Sequence, residues 1–94
     1  MNATLFQEIS SVLLEKHYGL ELNDTHLWDT SIVAECIKQG FRPYQVVAEH
    51  AEEADLGRID KMDYGVPSKA AITADDEAAA LEQLKTSGFE TTDA

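Results

Sequence analysis

The chain is poor in what secreted, membrane-spanning and nucleic-acid-binding proteins need. It has one cysteine, Cys36, so no intramolecular disulfide can staple the fold. That cysteine lies in an apolar helical pattern, where a buried core thiol is expected. Lysine and arginine together number only 7. Affinity for phosphates comes from clustered cations that displace counterions, so this scarcity argues against direct DNA or RNA binding. No apolar run approaches the roughly 18 residues of a membrane span, and the N-terminus has no basic segment leading into an apolar stretch. A cytoplasmic protein is expected. The sequence also lacks a Gly-rich phosphate loop, a nucleophile motif and a two-histidine metal motif, which points to a non-enzymatic protein without a cofactor.

What is abundant is acid. Against those cations stand 18 aspartates and glutamates, for a net charge of −11. Residues 1–48 carry six acids against Lys16, Lys38 and Arg42, whereas residues 49–94 carry twelve against Arg58, Lys61, Lys69 and Lys85, giving −3 and −8. Hydrophobic residues still make up 44% of the chain, enough to build a core despite the charge. A length of 94 residues suits one domain. Residues 1–85 are expected to form a single helical domain, followed by a disordered tail over 86–94.

Hydrophobic spacing predicts helices. In 4–18, Leu5, Ile9, Val12, Leu13 and Lys16 recur at intervals of three and four, widened by Phe6 and Leu14. Asn2 or Thr4 can cap this helix and Gly19 can end it. Asp29 or Thr30 can cap a second, whose apolar positions are Ile32, Val33, Cys36 and Ile37, with Gly40 as its stop. Pro43 opens a third, running to about Asp55 with Gly57 ending it. Trp28 and Phe41, placed before these two starts, have staple spacing to Val33 and Val46 and are expected in the core. Residues 56–72 are punctuated by Gly57, Gly65 and Pro67, which predicts a loop with one short extended piece at most. Thr73 and Asp76 then open a last helix to about Lys85, with a thin apolar face of Ala74, Ala78, Leu81 and Leu84. The expected fold is all-α, a small bundle of three to four helices with a helical hairpin in the middle; a small α+β arrangement is the runner-up.

The central hairpin spaces small and apolar residues around Gly40 as a helix-turn-helix does. Its second helix, however, carries Glu49, Glu52, Glu53 and Asp55, and such a helix would have to lie among phosphates. His50 and Glu53 share a helix face, but two converging positions fall short of the three or four ligands of a metal site. His17 and His26 flank helix boundaries, where a histidine needs no function. The residues nominated for an interface are therefore the acids Glu49, Glu52, Glu53 and Asp55, joined by Tyr44, Arg42 and Arg58, since aromatics and arginine favour binding patches.

The segment LNDTHLWDTSIVAECIKQGFRPYQVVAEHAEEADLGRID resembles small accessory proteins of bacterial plasmids and other mobile elements. That resemblance implies an accessory role, such as interference with a host system, plasmid maintenance or antagonism of another element, and assigns no activity to individual residues. The expected function is docking of an acidic helical surface on the basic surface of a protein partner, as an inhibitor or a competitor at a nucleic-acid-binding site. A structural or regulatory homodimer is the alternative, because a thin-faced last helix leaves apolar surface for a symmetric copy. A small metal protein or enzyme built around His50 or Cys36 is the third reading.

Overall fold

A computed structural model describes residues 1–68 and 70–89. The molecule is a small bundle of four helices, α1 (Ala3–Tyr18), α2 (Thr30–Lys38), α3 (Pro43–Glu53) and α4 (Ala74–Thr86). Two single 3-10 turns, Leu22–Asp24 and His26–Trp28, link α1 to α2. A short antiparallel hairpin of β1 (Arg58–Asp63) and β2 (Val66–Ser68) stands between α3 and α4. Among the described residues, no helix is long and apolar enough to cross a membrane.

The central element is α1, which packs against α2, α3, α4 and β1. Its sequence explains this, since Leu5, Phe6, Ile9, Leu13 and Leu14 are all buried and form a stripe wide enough to serve several neighbours. Val33 of α2, Val47 and Ala51 of α3, and Ala80 and Leu84 of α4 close the core around it.

The ends of the helices obey local chemistry. Asn2 Oδ1 accepts from the Leu5 amide at 2.8 Å, and Gly19 at φ 67° reverses the chain so that the Leu20 amide reaches the Leu14 carbonyl at 3.2 Å. A side chain at Gly19 would also press on Ile59, whose Cδ1 lies 3.3 Å from the Cβ position. Asp29 is the residue that caps α2, its Oδ1 accepting from Ser31 at 2.9 Å. Pro43 starts α3, and Asp76 accepts from the Thr73 amide at 2.8 Å to open α4.

Some expectations are corrected. It is Asp55 at φ 55°, not Gly57, that turns the chain after α3, with the Leu56 amide donating to Ala51 at 2.8 Å; a short polar side chain tolerates that left-handed position. Trp28 and Phe41 are not core but 57% and 43% exposed, because Val33 alone of α2 is fully buried and α2 lies at the edge of the bundle. The buried face of α4 is Glu77, Ala80 and Leu84, while Ala74 and Ala78 face solvent. The predicted loop contains a true hairpin, whose Tyr64 and Gly65 both have positive φ, 51° and 81°, as a tight two-residue turn of the right twist demands. Finally, the tail does not begin at 86. Helix α4 includes Thr86, Phe89 donates to the Leu84 carbonyl at 2.9 Å, and its ring packs against the core; the rest of the expected disordered segment, 90–94, lies outside the described residues.

Candidate functional site

Two groups of ionised side chains hold the bundle together and shape its surface. The first joins α1, β1 and α4. His17, at the C-terminal end of α1, is 1% exposed, and Arg58, the first residue of β1, is 2% exposed. Arg58 donates to both carboxylate oxygens of Asp60, Nε to Oδ1 at 3.1 Å and Nη2 to Oδ2 at 2.9 Å. This is the bidentate geometry in which an arginine–carboxylate pair is strongest. His17 Nδ1 lies 2.7 Å from the same Asp60 Oδ2 and 3.1 Å from Arg58 Nη2. The shorter contact is to an acceptor-only group, so Nδ1 carries the proton and donates to Asp60. Asp76, on the first turn of α4, completes the cluster with Oδ1 at 3.7 Å from Arg58 Nη2 and 3.9 Å from His17 Nε2. The Arg58 and His17 hydrogen bonds hold the Asp60 carboxyl down at about 2 despite its partial burial, and the bond to Asp60 raises Arg58 in turn. Burial pushes the neighbouring Tyr18 hydroxyl upward. His17 Nε2 and the hydroxyl of Ser10 are buried without a hydrogen-bond partner among the described residues.

The second group ties α3 to α4. Glu77 is buried, and Arg42 donates to its Oε2 from Nε at 3.1 Å and from Nη2 at 2.5 Å. The Tyr44 amide, one of the orphan donors at the start of α3, donates to Oε1 at 3.1 Å. A carboxylate from α4 thereby caps the neighbouring helix.

Over these fastenings lies an open groove of about 690 Å³ along α3. Its walls include Tyr18, Tyr44, Glu49, Glu52 and Asp55, with Ile72 in its lining, and among the described residues no lysine, arginine or histidine lines it. The helical period brings Tyr44 and Glu52 onto one side of α3, the turn after the helix places Asp55 beside them, and the bundle adds Tyr18 from α1. Of the residues nominated from sequence, Tyr44, Glu49, Glu52 and Asp55 meet here. Glu53 turns to the other side of α3, where it shares a smaller groove with His50, Cys36 and Phe41. Arg42 stands at the helix start, occupied by Glu77.

Arg58 is the clear correction. It was expected on an interface and is instead buried against His17 and Asp60, where pairing with Asp60 and Asp76 offsets the cost of taking the guanidinium out of water. His17 was assigned no role from its place at a helix end. Its position four after Leu13 and seven after Ser10, on the buried stripe of α1, is the signal that it had to find a partner. Cys36 is half-buried, and its thiol is pushed up by burial and by Glu35 and Glu49. Among the described residues, no group of three or more His, Cys, Asp or Glu is arranged to hold a metal.

Residues 4–78 match the family described as CbtA toxin of type IV toxin-antitoxin system. The match takes in α1 through the first turn of α4, and so both ionic groups and the acidic groove. No solved structure matches the chain.

Proposed function

Because the chain belongs to the CbtA toxin family of type IV toxin–antitoxin systems, we propose that it is a toxin that acts without catalysis, docking the acidic face of α3 on a basic surface of a cytoplasmic protein. The observation that carries this reading is the convergence of Tyr44, Glu49 and Glu52, with Asp55 beside them, on one groove whose lining holds no cation among the described residues. The side chains of Glu49 and Glu52 are available to an external partner, and Tyr44 adds contact area that loses little rotamer freedom on binding. The net charge of −11 speeds encounter with a basic partner and makes the association salt-dependent. A toxin–antitoxin system also pairs a toxin with an antitoxin, so a protein partner of that kind belongs to the biology of the chain. The first target class to test is the bacterial cytoskeleton.

Inducible expression in a bacterial host gives the decisive readout. The wild-type protein is expected to arrest growth and disturb cell shape, and to co-sediment with cytoskeletal polymers at about 0.1 M salt but not at several-fold higher salt. The double variant Glu52→Gln/Asp55→Asn is expected to lose toxicity and co-sedimentation while remaining folded by circular dichroism. A folded double variant as toxic as the wild type would refute the acidic groove as the working surface.

A further inference from the structure

The other side of α3 presents a different surface. Between the His26–Trp28 turn, α2 and α3 lies a groove of about 230 Å³, with Ile32, Cys36, Phe41 and Val46 in its lining. Ile32 is 40% exposed and Phe41 43%, and Trp28 at the end of the adjoining turn is 57% exposed. Single exposed apolar residues need no explanation, but a group of them around one depression marks a contact site. The volume is below the roughly 300 Å³ at which small-molecule sites begin, so the groove suits one or two anchoring side chains of a protein segment better than a cofactor.

The rim tells what that segment looks like. Glu49 and Glu53 line the groove from α3, and the charge of Glu35 on α2 reaches the Cys36 thiol in it. Among the described residues no lysine or arginine lines it, and the other ionisable side chains there are those of His26, His50 and Cys36. We propose that this groove is a second docking surface, and that its occupant is an amphipathic helical segment of a partner protein, apolar on the face laid between α2 and α3 and flanked by lysine or arginine. An apolar helix face anchors in such a groove at positions three and four apart, and the basic flanks meet the glutamates on the rim. An apolar segment with acidic flanks is rejected by the same carboxylates. The inference extends the binding role proposed above to a second surface, and it can fail or hold independently of the acidic groove.

The chain contains a single tryptophan, Trp28, so its fluorescence reports on this edge of the molecule alone. The probe is a synthetic helical peptide with leucines at i, i+3, i+4 and i+7 and lysines elsewhere, titrated into the full chain at about 0.15 M salt, where long-range attraction is largely screened. Saturable binding with a blue shift of Trp28 emission is expected. The same peptide with glutamates for lysines should bind at least tenfold more weakly. Ile32→Ser and Phe41→Ser, both at exposed positions and checked for folding by circular dichroism, should each weaken binding at least fivefold, whereas Glu52→Gln/Asp55→Asn should change it less than twofold. Binding that ignores Ile32→Ser and Phe41→Ser, or that disappears with Glu52→Gln/Asp55→Asn, overturns the proposal. So does a concentration-dependent dimer that Ile32→Ser dissolves, since a second copy would then be the occupant.

Discussion

The carboxylates of this protein fall into two populations that the sequence alone cannot separate. Asp60, Asp76 and Glu77 are turned inward, where Arg42, Arg58 and His17 hold them. Glu49 and Glu52 stand along an open groove with no cation among its described lining. Inward carboxylates decide how the hairpin, α1, α3 and α4 are fastened, and removing one partner leaves a buried charge uncompensated. Outward ones cost folding a little through mutual repulsion and are open to an external partner. In a chain with so few cations, Arg42 and Arg58 are both taken by structural partners, and neither lines the groove along α3.

The strongest way to break the comparison is to remove the cation from the inward group. Arg58→Ala strands Asp60 and His17, and the loss of one member of a buried, hydrogen-bonded pair costs about 3–5 kcal/mol. Such a loss is a large part of the stability of a domain this size, so denaturant unfolding should show the variant largely or wholly unfolded at room temperature. Glu77→Ala should cost less, about 2 kcal/mol, because Arg42 is 51% exposed and recovers water while only the Tyr44 amide loses its acceptor. Its urea midpoint should fall without a change in slope.

Acid offers a gentler route to the same group. Asp60 titrates at about 2 in the folded protein against an ordinary 3.8. A depressed carboxyl contributes stability that is complete above the unfolded value and lost as the pH falls through the folded one. The contribution, on the order of 2 kcal/mol, should therefore be intact above about pH 5, roughly half lost at pH 3 and absent near pH 1. Urea unfolding of the wild type and of Asp60→Asn should differ most at neutral pH and converge as the pH drops. A constant difference between the two would mean that the Arg58 and His17 contacts do not favour the charged carboxylate.

What was legible in the sequence was local. Asn2, Asp29, Pro43 and the Thr73–Asp76 box mark helix starts because each acts within three residues of itself, and the α1 stripe is visible because it repeats every turn. The acidic face of α3 follows from the same periodicity. The Arg42–Glu77 pair and the contact of Arg58 with His17 were hidden because they are made across 35 and 41 residues, between elements whose packing no local pattern encodes. The exposure of Trp28 and Phe41 was hidden for a related reason. A staple predicts a neighbour along the chain, but whether the pair is covered depends on which helix takes the centre of the bundle, and α1 takes it.

The smallest expected effect on folding is the one that sharpens the comparison most. Glu52→Gln removes one outward charge without changing side-chain volume. It alters no hydrogen bond of the Arg58 or Glu77 groups, so it should move stability by less than about 0.5 kcal/mol. Relief of self-repulsion in a chain of net charge −11 makes the sign slightly favourable, more so at low salt. Thermal unfolding at about 0.02 and 0.2 M salt should show the gain of Glu52→Gln shrinking as screening increases. A loss of stability as large as that of Glu77→Ala would instead place Glu52 among the carboxylates that hold the bundle together, and the groove would lose its claim to be an acidic surface open to a partner.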